Sequence, residues 1–376
     1  MAALLLSGLQ VPVWGMQPEE SGLDERFYQK QLEAAGAQEL WEEMPQDAQH
    51  FFGQAGITEL DYTSLLSLTP EEFLKIIADL AGEKMRQPLA VCFSVLGIIL
   101  LCALLEGMKT AMWEGTLSTV FSTVAITCTV GAMVSPVIGC ITATAQALAE
   151  CSDFIVGFIP VFTSVVIAGG QPVTAGTYTT FLFMACQVVS QIVSEILVPL
   201  MGIYLAFCIV GSLVPGMNIS AAANCIRSVV NWALGLLMTV FVGLLSLQTI
   251  VASGSDNVAA KTAKFLIGSF VPVVGGALSD AFVATQGYVR LLRASIGVFG
   301  ILAAAAGFLP VFLQTLLWYL TANFTSAAAE MLEIKTVAGM LKSAGTTLGV
   351  LLSVILCFAL LVIISTTLVL TTSTGV

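Results

Sequence analysis

The sequence predicts an all-α polytopic membrane helical bundle with broken or re-entrant helices, together with a small N-terminal helical extramembrane domain. Three observations predict this fold. The mean hydropathy is +0.96, with 57% hydrophobic and 10% charged residues, which lies outside the range of soluble globular proteins. Long apolar runs separated by short polar breaks fill the chain after residue 88. More than half of the charged residues lie before that point.

The net charge of −11 belongs to the N-terminal part of the chain. Residues 17–88 hold 15 acidic and 5 basic side chains, whereas residues 89–376 hold 9 and 8. We therefore expect an acidic helical domain over residues 18–88 and a multi-span membrane domain over residues 89–376. This charge balance excludes the basic surface of a nucleic-acid-binding protein, so no nucleic-acid partner is expected.

Residues 1–17 form a short apolar segment that resembles a signal peptide, because it ends in a Val-Trp-Gly tripeptide that loosely fits a cleavage site. No Lys or Arg precedes its apolar run, which a start further upstream would explain. If the segment is a signal peptide, residues 18–88 are delivered to the extracytoplasmic side. The alternative is a short hydrophobic anchor.

The acidic domain has the pattern of short amphipathic helices. Its clearest signal is the capping box at residues 69–72, where Thr69 supplies the cap oxygen and Glu72 reaches back to the cap amide. Pro70 fits the first helical position, where no amide bond is lost. A domain of about 70 residues buries little core, so we expect it to need a partner or the membrane for order.

The membrane domain contains several apolar runs that are candidates to cross a bilayer. They cover residues 89–105, 117–138, 177–197, 229–252, 296–320 and 348–370. Two broken pieces, residues 154–170 and 269–281, either cross as well or re-enter from one side, and residues 200–214 are too short to span comfortably without tilt. The chain therefore makes about six to eight crossings. An exported acidic domain places Lys109 in the cytoplasm, where the positive-inside rule also prefers the later Lys and Arg residues.

Small residues predict close helix packing at two places. Gly131, Ser135 and Gly139 recur at four-residue spacing in the second span, and residues 303–307 form an Ala-Ala-Ala-Ala-Gly patch. Small side chains allow two membrane helices to approach closely. We expect both sets to lie at helix contacts.

The most unusual stretch of the chain is residues 269–281, with the sequence SFVPVVGGALSDA. Pro272 interrupts the apolar run, Gly275 and Gly276 open it, and Asp280 closes it. In lipid, freed backbone groups are tolerated only where neighbouring helices or a water-filled cavity satisfy them, so this segment should lie inside the bundle. Arg290 or Arg293, which follow on a polar helical face, are candidate partners for Asp280.

A weaker copy of this pattern lies upstream around Pro160. Residues 158–161 match residues 270–273, and a second proline follows each at nearly equal distance. This suggests an internal repeat, with residues 158–202 as the first copy and residues 270–313 as the second. Paired broken segments point to a transport-type site near the bilayer midplane. Because proline and glycine are common in membrane helices, a chance match is the alternative.

Polar residues also share one face of the span at residues 177–197. Gln187, Gln191, Ser194 and Glu195 recur at helical spacing. A carboxylate and two amides in an apolar helix should face the bundle interior. They either line a polar pathway or form hydrogen bonds between helices, and a Glu near the membrane interface before Pro199 is a third reading.

The sequence lacks the usual motifs of catalysis. It contains no phosphate-binding loop, nucleophile elbow or zinc-protease motif, and its one histidine, His50, lies in the acidic domain. None of the nine cysteines forms a CxxC pair, so a zinc or disulfide framework is not expected. We therefore expect a protein that is not an enzyme and needs no cofactor or metal.

Two stretches carry a family resemblance. The sequence FVPVVGGALSDA, followed by an Ala-Ser-Ile-Gly-Val run at residues 294–298, and the sequence SLTPEEFLKIIADLAGEKMRQPLAV at the end of the acidic domain closely resemble the stage III sporulation protein AE family of endospore-forming bacteria. The layout agrees over nearly the full chain. The signal-like segment departs from the family in its start, which lacks a basic residue.

The resemblance implies a multi-pass component of the mother-cell membrane that surrounds the forespore. There the family acts in a secretion-like channel complex that supports forespore development, with an ATPase, ring-forming proteins and other membrane components as partners. It supplies no catalytic residue to carry over. Besides lipid and these proteins, a second copy of the chain is a candidate partner.

The alternative function is a self-contained small-solute permease with its site at the two broken segments; an intramembrane enzyme is the weakest reading.

Overall fold

The computed structural model describes residues 39–57, 70–112, 116–213, 219–270 and 275–372. Helices account for nearly all of these residues, and no strand occurs among them. The helices are α1 (Glu39–Glu42), α2 (Gln46–Gln54), α3 (Pro70–Met112), α4 (Thr116–Ala168), α5 (Pro172–Gln191), a π-helical turn (Ile192–Leu197), α6 (Val198–Leu213), α7 (Ile219–Phe270), α8 (Gly275–Met331) and α9 (Lys335–Thr372).

Six helical segments of the described chain are long and apolar enough to cross a membrane. They are Glu71–Leu104, Thr123–Ala168, Pro172–Gly211, Ala221–Leu247, Leu292–Met331 and Lys335–Thr367. The predicted all-α membrane bundle is confirmed. Six segments correspond to the lower end of the crossing number that the sequence predicts.

The break predicted at Pro160 is wrong. Helix α4 continues through Pro136 and Pro160 and ends at Ala168, where the link to α5 contains Gly170 with a φ of 81°. A proline removes one helical hydrogen bond and strains the preceding turn, but neighbouring helices compensate for this in a packed membrane bundle. Pro160 itself is exposed, so its ring lies away from the packed face of α4.

The predicted separation of residues 177–197 from 200–214 is also absent. Helix α5, the π-helical turn and α6 form one continuous rod from residue 172 to residue 213, which we name the α5–α6 rod. Pro199 lacks an amide hydrogen, and its ring would clash with the carbonyl of Glu195 in a regular α-helix. The wider π-helical turn immediately before Pro199 accommodates the proline without ending the helix.

Helix α8 is the central helix of the bundle. In the most apolar stretch of 18 residues of α8, 72% of the residues are buried. The corresponding stretches of α3 and α7 are each only 22% buried. It forms an antiparallel hairpin with α9 through a turn in which Glu333 has a φ of 60°. The predicted packing of residues 303–307 is confirmed, since Ala303, Ala304 and Ala306 are buried.

Helix α4 packs on α8 through aromatic rings and glycines. Phe154, Phe158 and Phe162 recur every four residues, are fully buried, and stack with ring-centroid distances of 6.1 and 5.3 Å. A Cβ atom added at Gly300 of α8 would overlap the ring of Phe158, and one at Gly297 would lie 3.1 Å from the ring of Phe162. We name these five residues the Phe–Gly seam. Glycine is needed here because the backbone of α8 lies directly against the rings.

The N-terminal helices join the same core. Phe299 of α8, beside the seam, stacks with Trp41 at 6.1 Å and with Phe52 at 5.8 Å between ring centroids. Burying a large apolar side chain such as Phe52 stabilises the fold by roughly 1.5–3 kcal/mol. The described part of the acidic domain thus gains its order from the bundle, and α3 continues through Pro88 at the predicted domain boundary.

The glycine stripe of the second span lies at the surface of the described chain and not at the predicted helix contact. Gly131 and Gly139 are exposed, and a Cβ atom added at either would meet no atom within 4 Å. The described part of the chain therefore does not pack against this stripe, and the predicted helix contact is absent there.

Replacing Gly300 with alanine should lower stability, because the added methyl group overlaps the Phe158 ring. Overpacking of this kind costs about 1–3 kcal/mol. Gly243→Ala on α7 is the matched control, since a Cβ atom there meets nothing within 4 Å and alanine favours a helix. Thermal unfolding in detergent should show a lower midpoint for Gly300→Ala and an unchanged or higher one for the control. Equal midpoints would contradict the seam.

Candidate functional site

The segment that the sequence singles out lies largely outside the described side chains. Pro272 falls in residues 271–274, which are outside the described residues. Helix α7 ends before them at Phe270, and Gly275 and Gly276 begin α8. The position of this segment in a polar core stays a prediction.

The ionic partners proposed near this segment are likewise untested. Asp280 and Arg290 lie in α8, where residues 275–291 are described as helical backbone only. The internal repeat, in which residues 270–313 would be a second copy of residues 158–202, also includes undescribed residues and stays a prediction. The described part of the first copy differs from its expected form, because Pro160 lies within a continuous helix.

The polar residues of the α5–α6 rod point outward. Gln187, Gln191 and Glu195 share one face as predicted, but all three side chains are exposed at the surface of the chain. The expectation that they face the bundle interior is therefore wrong for the single chain. We name these three residues the outward polar face. Their role in a polar pathway stays a prediction.

The opposite side of the rod is apolar and packed. Val189, Val193 and Leu197 are buried and, with residues of α7 and α9, line a cavity of about 10 Å³. Such a space holds at most about one water molecule. Apolar side chains thus occupy the inner face of the rod, which leaves the outer face for the amides and the carboxylate.

A buried arginine lies where α8 enters the core. Arg293 is only 3% exposed, and its Nη1 donates a hydrogen bond of 2.6 Å to Oε1 of Gln171 in the link between α4 and α5. A charge-assisted hydrogen bond of this length is a strong one. Arg293 was a candidate partner for Asp280 in the sequence, whereas Gln171 gave no signal beyond being an amide in a polar break.

Two hydroxyl contacts connect further helices at the same end of the bundle. The hydroxyl oxygens of Thr163 in α4 and Thr179 in α5 lie 2.6 Å apart. The Tyr178 hydroxyl lies 3.3 Å from that of Thr366 in α9. With Gln171 and Arg293 these contacts form the link cluster, which joins α4, α5, α8 and α9 by polar side chains. Sequence periodicity did not identify it, because each contact joins residues from separate helices.

The described residues contain no group of three His, Cys, Asp or Glu side chains that could hold a metal ion. The link cluster pairs donors with acceptors across helices and fixes the bundle end. The outward polar face offers hydrogen-bonding groups to another molecule. The geometry of the described part therefore suits positioning and contact.

Electrostatics affect the docking of the N-terminal helices. Asp47 of α2 lies outside the candidate spans, and partial burial raises the pKa of its carboxyl group. Lys84 opposes this rise in pKa, whereas the nearby carboxylate of Glu150 adds to it. A raised pKa means that the folded state binds the proton more tightly than the unfolded state.

The stability contributed by Asp47 should therefore fall as the pH rises above about 4, the ordinary pKa of an aspartate. Asp47→Asn should match or exceed the wild type in unfolding midpoint at pH 7, and the difference should shrink at pH 4. Glu83→Gln, at an exposed position on α3, serves as the control. A lower midpoint for Asp47→Asn at pH 7 would contradict this sign.

A double-mutant cycle tests the contact between Gln171 and Arg293. Gln171→Leu and Arg293→Met should each lower the free energy of unfolding by about 1–3 kcal/mol, since the first leaves the buried Arg293 and the second the half-buried Gln171 with fewer hydrogen bonds. The double variant should cost less than the sum of the two. Unfolding midpoints in detergent measure the cycle, and additive losses would show that the two side chains do not interact.

Comparison with known proteins identifies the family of the chain. Residues 61–373 match the family described as stage III sporulation protein AE. The Stage III sporulation protein AE of Bacillus subtilis (strain 168) is 24% identical over 236 residues, which are 62% of this chain and 59% of that relative. The alignment thus spans less than two thirds of the relative, and no solved structure matches the chain. Because the family match extends over most of its length, the chain belongs to the stage III sporulation protein AE family.

Proposed function

We propose that the protein is a non-enzymatic integral membrane component of the secretion-like channel complex between mother cell and forespore, and that it supports forespore development. Family membership places it in sporulation. The observation that carries the rest is the outward polar face, because Gln187, Gln191 and Glu195 are exposed on a candidate membrane span. Polar groups on such a span need partners within the membrane.

The packing of the described bundle supports a role as an assembly component. A conduit within one chain needs a continuous lining of polar groups around a water-filled space. The Phe–Gly seam and the apolar inner face of the α5–α6 rod instead fill the described interior with hydrocarbon side chains. A protein with this distribution acts through the surfaces it presents to neighbouring subunits and to lipid.

In this proposal the protein lies in the mother-cell membrane around the forespore, with residues 18–88 on the extracytoplasmic side. Its partners are an ATPase, ring-forming proteins and other membrane components of the complex. Exposed apolar side chains such as Phe93, Trp232 and Leu247 contact lipid. In this proposal Pro272, Gly275, Gly276 and Asp280 shape the core of the membrane domain.

The competing function is a self-contained small-solute permease with its site at the two broken segments. Its support is weaker, because the first segment is a continuous helix through Pro160. The two functions differ in what the isolated protein does. A permease transports solute alone, whereas a component of a complex is inert without its partners.

The test combines sporulating cells with reconstituted liposomes. A tagged copy should restore heat-resistant spores to a strain that lacks the protein, and it should co-purify with other membrane proteins made during sporulation. The purified protein alone should give liposomes no more solute uptake than empty ones. Unaided uptake, or normal sporulation in the deletion strain, would contradict the proposal.

The same strain tests Asp280. Asp280→Asn should reduce spore formation at unchanged membrane levels if the carboxylate shapes the core. Asp79→Asn, at an exposed position of α3 within the N-terminal domain, is the matched control. Normal spore formation by Asp280→Asn would remove Asp280 from this role.

A further inference from the structure

The outward polar face lies near the middle of the membrane-crossing part of the bundle. Gln191 and Glu195 flank Val193, which lines the small cavity together with Val354 and Cys357 of α9. These two α9 residues lie about halfway along Lys335–Thr372. Gln187, Gln191 and Glu195 are also central in the α5–α6 rod, which spans residues 172–213. They are therefore far from both ends of the helices that carry and support them.

Lipid is a poor environment for this face. A carboxylate or amide near the bilayer centre costs several kcal/mol unless it meets a partner or water. The neighbouring exposed residues of the rod are apolar, including Met184, Val188 and Ile196. By contrast, residues 232–247 of α7 expose large apolar side chains and contain no charged or amide residue. This stretch of α7 suits lipid, whereas the outward polar face suits protein.

The same side of the rod permits the close approach of another helix. Gly176 and Gly202 are exposed, and a Cβ atom added at either would meet no atom within 4 Å. Within the described residues their small size is therefore not used for packing, in contrast to that of Gly297 and Gly300 of the Phe–Gly seam. Small residues beside hydrogen-bonding side chains are the composition of helix contacts within membranes.

The chemistry of the face matches a copy of itself. An axis along the membrane normal keeps equivalent residues at the same depth, so the outward polar face of one chain meets the same face of the other. Each glutamine amide both donates and accepts, so Gln187 and Gln191 can pair with their equivalents. The Glu195 carboxyl group can accept a hydrogen bond from the Gln191 amide of the second chain, which lies about one helical turn away. The rod from residue 172 to residue 213 contains no Lys or Arg, and this pairing needs none.

We propose that the outward polar face is the contact between two copies of this chain, packed about a two-fold axis parallel to the membrane normal. The contact joins the two α5–α6 rods through Gln187, Gln191 and Glu195, with Gly176 and Gly202 on either side. This dimer does not rest on the proposed function, because it forms without other sporulation proteins.

The first arm of the test removes the polar groups from the purified full-length protein. Gln187→Leu combined with Gln191→Leu should weaken dimerisation in nanodiscs or mild detergent by about tenfold or more, because several interhelical hydrogen bonds are lost. The control is Asn231→Leu with Thr239→Leu, which removes two exposed polar groups from α7. Mass measurement across a concentration series gives the dimer dissociation constant, and unchanged unfolding midpoints confirm that the variants are folded.

The second arm uses cysteine crosslinking in a version stripped of its nine native cysteines. Gln191→Cys should form a disulfide-linked dimer on mild oxidation, since equivalent residues meet at the axis, whereas Leu236→Cys on the α7 surface should not. A monomer at all concentrations, equal crosslinking at both positions, or a dimer unchanged by the leucine variants would overturn the proposal. Crosslinking of Gln191→Cys only to a different protein in sporulating membranes would assign the face to that partner instead.

Discussion

The close approach of α4 to α8 at the Phe–Gly seam is the constraint on which the rest of the bundle depends. Phe158 lies directly against Gly300, and this contact allows the rings of α4 to cover the backbone of the central helix. Phe299 beside the seam then stacks with Trp41 and Phe52, which orders the described part of the acidic domain. One aromatic core thus joins segments that are far apart in the chain.

Filling the interior with hydrocarbon side chains determines where polar groups can lie. Some form the link cluster, where Gln171 and Arg293 connect the α4–α5 link to the central helix. Others lie on the outward polar face of the α5–α6 rod, where they need a partner from outside the chain. This division fits a protein that acts as part of a membrane assembly and explains why a small apolar cavity, rather than a wide polar one, lies behind Val193.

The sequence predicted the features that depend on local composition. Apolar content and run length gave the helical membrane bundle, and the Ala-rich patch at residues 303–307 marked a buried contact of α8. Helix breaks were less predictable, because tertiary packing outweighs the local effect of Pro160, and the π-helical turn accommodates Pro199. Periodicity showed that Gln187, Gln191 and Glu195 share a face, but only the positions of neighbouring helices decide which way that face points.

The apolar interior is open to one direct measurement. Val193→Cys, in a version without native cysteines, places a thiol at the small cavity between the α5–α6 rod and α9. A membrane-impermeant thiol reagent should fail to label it from either side of the membrane, while Gln54→Cys in α2, exposed at the surface of the chain, should react. Labelling of Val193→Cys from either side would show that water reaches the interior of the bundle and would contradict the apolar interior.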